Sequence, residues 1–173
     1  MEIRRVQSSD GGLLRKVHLR MLADAPDAFS ETLAEAQARS AAQWDARAER
    51  FGKETDAVAF VAIEADEAVG FVAGFVGRFR GKAMEWDVTD TVTLARAWVA
   101  SAVRQQGVGR AMAESVKNWA VARGAAVLET QVTENNEAAI CFYASLGFTD
   151  TGRREPLRSN PALQIHFLSQ QLR

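Results

Sequence analysis

Between Thr91 and Gly124 the chain runs from a β-branched segment, through a turn carrying two glycines and two arginines, into a strongly amphipathic segment. This succession confines the fold more than any other feature of the chain. Residues 91–100, TVTLARAWVA, have the composition of a largely buried strand. After the turn Arg104-Gln105-Gln106-Gly107-Val108-Gly109-Arg110, the residues Val108, Ala111, Met112, Ser115, Val116, Trp119 and Ala120 recur at the spacing of one helix face. Gly124 supplies the stop.

A strand that feeds a helix through glycines makes a site for an anion. The first turn of a helix carries backbone N–H groups without intrahelical partners and the positive end of the macrodipole. Gly107 and Gly109 keep side chains clear of those donors, and Arg104 and Arg110 set guanidinium groups beside them. A Walker loop, which needs Gly, four residues and then Gly-Lys-Ser/Thr, is absent. A dinucleotide fingerprint needs a third glycine where Met112 stands.

The rest of the pattern is that of one mixed domain. Glu2 to Val6 reads as a strand, followed by a helix with Leu13, Leu14, Val17, Met21 and Leu22 inward and an interruption at Asp24 to Asp27. Ser40 to Phe51 is a second helix, opened by a Ser40/Gln43 capping box, with Trp44, Ala48 and Phe51 on one face. Ala57 to Ile63 and Val69 to Phe79 are strands around a turn at Ala65 to Glu67. Val127 to Val132 is a strand, Asn136 to Leu146 a helix closed by Gly147, and Leu163 to Leu168 a last strand. The order predicts an α/β (α+β) fold with helices on both sides of a central sheet.

Composition narrows the function classes. At 173 residues and 47% hydrophobic, the chain suits a single domain over 1–173 with a full core. One cysteine excludes a disulfide framework, and His18 and His166 have no third ligand at metal-like spacing, so no metal is expected. No apolar run reaches the roughly 18 residues of a membrane span, so a cytoplasmic protein without membrane contact is expected. A net charge of −1 gives no general attraction for nucleic acid.

Two segments resemble a known family. Val99, Arg104, Gly107 and Gly109 are similar to the acetyl-CoA signature Arg/Gln-x-x-Gly-x-Gly/Ala of the GNAT N-acetyltransferases. Asn136-x-x-Ala139-Ile140-x-x-Tyr143-x-x-x-Gly147-Phe148 resembles that family's next helix and the strand after it. Together the two cover residues from about 90 to 150, and their co-occurrence is more specific than either alone.

The resemblance implies a mixed, mostly antiparallel sheet of about seven strands, in which residues 91–100 and 127–132 splay apart to admit the pantetheine arm. It implies acetyl-CoA held by Val99, Arg104, Gln105, Gly107, Val108, Gly109, Arg110 and Asn136, with Tyr143 protonating the departing thiolate. A backbone N–H near Val99 would serve the oxyanion, and a primary amine would attack directly in a ternary complex. Homodimers are common in the family. Gln131 stands where members that acetylate protein amino termini often carry a glutamate, and an amide cannot accept a proton. Asp90, Asp87, Glu85, Glu129 and Glu134 remain as alternative bases. Glu85, Asp87 and Asp90 also form an acidic cluster suited to a cationic acceptor, while Glu31 and Glu35 are placed to line the acceptor side. A catalytically silent acyl-CoA-binding module is the rival expectation.

Overall fold

The computed structural model describes residues 1–53, 55–80, 83–85 and 90–172. Trp86 and Asp87, singled out from the sequence, lie outside the described residues. In chain order the elements are β1 (Glu2–Arg5), α1 (Gly11–Asp24), α2 (Leu33–Gln37), α3 (Ala41–Lys53), β2 (Ala57–Glu64), β3 (Glu67–Val76), β4 (Arg78–Arg80), β5 (Ala83–Glu85), β6 (Thr91–Val99), α4 (Val108–Ala122), β7 (Val127–Thr133), α5 (Glu137–Ser145), β8 (Thr149–Leu157) and β9 (Asn160–Gln171). Single 3-10 turns occupy Pro26–Ala28 and Ser101–Val103.

Seven strands form one sheet in the order β1-β2-β3-β6-β7-β9-β8, and β4 with β5 makes a separate ribbon. Within the sheet every neighbouring pair is antiparallel except β6 and β7. The two faces of β3 show how the layers assemble. Phe71 and Phe75 point to one side, where they meet His18 of α1 at 4.9 Å and Phe51 of α3 at 5.9 Å between ring centroids. Gly70 and Gly74 point to the other, where a Cβ would fall 2.8 Å from Met112 Cε and 2.8 Å from Val116 Cγ1 of α4. Helices therefore cover both faces, and α4 lies close to the sheet because β3 presents hydrogen atoms there instead of side chains.

Helix starts follow capping chemistry. The Ser40 box forms as expected, with Ser40 N donating to Gln43 Oε1 at 2.9 Å and Gln43 N to Ser40 Oγ at 3.3 Å. An unforeseen reciprocal pair, Thr32 with Glu35, opens α2. Asn136 caps α5, its Oδ1 accepting from Ala139 N at 3.1 Å.

Three expectations need correction. Ala111 is exposed and Ala113 takes its place on the buried face of α4. The strand expected to reach Phe79 stops at Val76, because Gly77 turns to φ 115 and sends the chain into the β4/β5 ribbon. The last strand is much longer than Leu163 to Leu168 and pairs with β8, whose polar sequence TDTGRREPL hides a strand that is mostly exposed.

Candidate active site

The parallel pairing of β6 and β7 covers only Thr91–Leu94 against Val127–Thr130. Beyond Leu94 and Thr130 the two strands part. On the other side of β6, the register against β3 shifts between Phe71 and Ala73, and Arg96 adopts φ 59 at this irregularity. A bulge re-aims the strand it occurs in. Here it turns the far half of β6 away from β7, and the sheet opens into a cleft.

One rim of the cleft is the start of α4. Gly107 is its N-cap at φ 82, no side chain caps it, and the first intrahelical bond runs from Ala111 N to Gly107 O at 3.0 Å. The amides of Val108, Gly109 and Arg110 therefore precede any helical acceptor and carry the positive end of the helix. A Cβ on Gly107 would meet nothing within 4 Å, whereas one on Gly109 would touch the Phe142 ring at 3.5 Å and Val99 Cγ2 at 3.6 Å. Gly107 supplies a backbone angle; Gly109 supplies close packing between β6 and α5.

The two arginines of the turn face the protein. Arg104 Nε donates to Val99 O at 2.8 Å and its Nη2 to Asp24 Oδ2 at 2.9 Å, while Trp98 Nε1 donates to the same carboxylate oxygen at 2.8 Å. Arg110 Nη2 reaches Ser145 Oγ at 3.1 Å. In this arrangement the guanidinium groups fix the turn, and the donors it leaves open are main-chain N–H groups.

A cavity of about 1660 Å³ follows the cleft, larger than the roughly 300–1,000 Å³ typical of one drug-sized ligand. Val99, Arg104, Gln105, Gly107, Gly109, Arg110, Asn136 and Tyr143 all line it. Val108 does not; its side chain is buried in the core, which leaves only its amide for a ligand.

Tyr143 sits at the fork between the strands. It is buried, edge-on to Phe142 and Phe148 at 5.2 and 5.3 Å, and hydrogen-bonded to Thr130, the last residue of β7 that pairs with β6. Burial pushes its hydroxyl up to about 12, with the Thr130 contact acting the other way. The sequence alone suggested the ordinary tyrosine value of about 10. The enclosed phenol stays protonated, suited to donating and not to accepting a proton.

Of the carboxylates expected as bases, Asp87 lies outside the described residues and the other four are elsewhere. Asp90 lies at the start of β6, where its carbonyl accepts from Ala126 N at 2.7 Å, and neither it nor Glu85 lines the cavity. Glu129 is paired with Arg78 at 2.9 Å, and Glu134 accepts from Gln164 N at 2.9 Å. Gln131 does line the cavity, as an amide. So do Asp24, Glu31, Glu35 and Glu155, and each is paired with an arginine: Arg104, Arg39, Arg158 and Arg153 respectively. The basic residues Arg153, Arg154 and Arg158 thus serve ion pairs within the chain, Arg154 with Asp150. Cys141 is exposed on α5.

Sequence reasoning missed Asp24, Arg39, Thr130 and Arg96 as cavity residues. For Arg96 a signal existed, since it is a charged residue inside an otherwise apolar strand. For Asp24 none did.

A family model described as the acetyltransferase (GNAT) family matches residues 20–148. Over 74 residues the chain is 36% identical to the ribosomal protein bS18-alanine N-acetyltransferase of Escherichia coli (strain K12), covering 43% of this chain and 50% of that protein. The chain thus spans about half the length of the curated relatives it matches. A putative acetyltransferase from Salmonella typhimurium, solved with its cofactor acetyl-CoA, superposes with a TM-score of 0.77 at 20% identity, over 100% of this chain and 94% of that one. A GNAT-family acetyltransferase from Streptococcus pneumoniae gives 0.79 at 16% identity, over 98% of each chain. Likeness at these identities establishes the fold.

Proposed function

The chain belongs to the GNAT acetyltransferase family, and from that premise we propose that it moves an acetyl group from acetyl-CoA to a primary amine by direct attack while both are bound. The observation that carries this reading is the place where β6 and β7 stop pairing, with an uncapped helix start on one side and Tyr143 at the fork. Acetyl-CoA supplies an activated thioester. The amides at 108–110 would hold its diphosphate, and Asn136, which both caps α5 and lines the cavity, would flank the pantetheine arm. The exposed edge of β6 near Val99 would offer an N–H to the carbonyl oxygen as it gains charge. Tyr143 would donate its hydroxyl proton to the leaving sulfur.

Every cavity carboxylate among the described residues is held by an arginine. The amine's proton therefore leaves to water, and the acceptor binds in its neutral form. The reading is tested by calorimetry with acetyl-CoA together with a mass-spectrometric screen of amine acceptors. Tight binding with acetylated products is expected. Tight binding with no CoA release across a broad amine panel would leave a silent acyl-CoA-binding module in its place.

A further inference from the structure

Among the described residues, the acceptor end of the cavity carries more positive charge than its carboxylates balance. Glu31 faces two guanidinium groups there: it is ion-paired with Arg39, and its Oε2 lies 3.8 Å from Arg96 Nη2. Arg96 turns its other nitrogen, Nη1, to His18 Nε2 at 2.9 Å. A guanidinium only donates, so His18 must accept at Nε2 and is neutral. Burial first, then the charges of Arg96, Arg47 and Arg39, holds the imidazole well below its ordinary value, in agreement with that assignment. Arg39 and Arg47 both lie against the ring of the buried Trp44, at 5.2 and 5.8 Å from its centroid. Among the described residues no carboxylate pairs with Arg47. Three arginines thus share one glutamate around a neutral histidine.

Excess like charge in a partly enclosed site is costly unless a counter-ion completes it. Arg96 itself reports that cost: burial, with repulsion from Arg47, Arg39 and Arg50 set against the pull of Glu31, brings it down to about 10. Glu31 Oε2 stays 3.8 Å from Arg96 Nη2, too far for a hydrogen bond, so that nitrogen keeps donors available to a ligand. Glu31, Arg39 and Arg96 all line the cavity, and Arg96 lies three residues before Val99 on the same strand, on the acceptor side of the fork.

We propose that the acceptor is an amine carrying its own carboxylate, an amino acid rather than a polyamine, with that carboxylate seated on Arg96 and Arg39. A carboxylate matches the planar fork of an arginine and supplies the missing negative charge. This replaces the cationic acceptor suggested by the acidic residues near β6, of which the two described, Glu85 and Asp90, do not line the cavity. The inference rests on the transferase reading above, and the experiment separates the two.

Apolar L-amino acids would each be compared with their carboxamides and decarboxylated amines, with rates corrected to the neutral-amine fraction. The wild type should favour the free carboxylate by at least about tenfold in kcat/KM. Arg96→Met should raise KM for the amino acids by about tenfold while leaving the carboxamides within about twofold, and Arg96→Lys should restore part of the difference. Because Arg96 shapes the bulge, Arg39→Gln provides a second test with the same expected pattern. Thermal shifts with the same ligands in the presence of CoA read the subsite without turnover. Acetylation of carboxamides or diamines as well as the amino acids overturns the carboxylate subsite and keeps the transferase. Selective stabilisation by amino acids without any turnover keeps the subsite and overturns the transferase.

Discussion

Tyr143 shows how far its neighbours decide what a residue can do. Enclosed by Phe142, Phe148 and Thr130 of β7, its hydroxyl is a weaker acid than a free phenol and so stays protonated throughout the physiological range. Tyr143→Phe should lower kcat by about 10²-fold with acetyl-CoA affinity unchanged, as steady-state kinetics and calorimetry would reveal. An unchanged kcat would reduce Tyr143 to packing. His18 makes the opposite case, a base kept neutral. Its folded value lies well below the ordinary 6.5, so below that pH the unfolded chain takes up a proton that the folded chain refuses. Stability is therefore complete above about 6.5 and falls as the pH drops, by about 1.4 kcal/mol per unit until the folded group itself titrates. Urea unfolding at pH 7.5 and 5.5 should reveal that slope, and His18→Gln should flatten it.

At the level of elements, the contact of α4 with β3 depends on two glycines that differ in what faces them. At Gly74 a new methyl group would meet the stiff β-branched Val116 at 2.8 Å, with Val58 and Trp119 close behind; at Gly70 it would meet the terminal methyl of Met112 at 2.8 Å, with Ala62 Cβ at 3.1 Å. Gly74→Ala should cost about 1–3 kcal/mol by overpacking, and Gly70→Ala less, since Met112 can swing aside; paired chemical denaturation curves would rank them. The elements most legible in the sequence were those with a buried period: α1, α3, α4, β2, β6 and β7 were all located, and the anion loop was read correctly as a strand-to-helix junction. What stayed hidden has physical causes. The short α2 has too few residues for a period and is announced only by Thr32 and Glu35. The strand β8 is an edge, exposed along most of its length, and so lacks alternation. The charge cluster at the acceptor end joins residues from α1, the α2 region, α3 and β6, and no spacing along a chain encodes such a meeting. Eight of the nine residues named for the site line one cavity; the exception, Val108, is where helix periodicity and loop motif made competing claims on one side chain.

Across the whole molecule, the first forty residues and the β8/β9 hairpin close on each other over the acceptor end. Arg158 grips Glu35 with two hydrogen bonds of 2.8 and 2.7 Å, Ser159 Oγ donates to Phe29 O at 2.6 Å, and Asn160 Nδ2 to Asp27 Oδ1 at 3.2 Å. Hydrogen bonding to Arg158 draws Glu35 down from 4.5 to about 2. Its folded value is depressed, so this tie contributes above pH 4.5 and is lost as the pH falls towards 2. Glu35→Gln should weaken that part of the acid transition followed by circular dichroism, and should raise the acceptor KM while leaving acetyl-CoA affinity intact. A different consequence follows from the four-residue pairing of β6 with β7. Past that point the facing edges of two neighbouring strands have main-chain groups with no strand to answer them, so a guest bearing amides of its own would complete the ladder as a short surrogate strand. Deuterium uptake at those amides of residues 95–99 and 131–133 that face the gap, and not β3 or β9, should be fast in the empty protein and slow sharply when that guest is threaded in, which makes the sheet a structure finished only by its cargo.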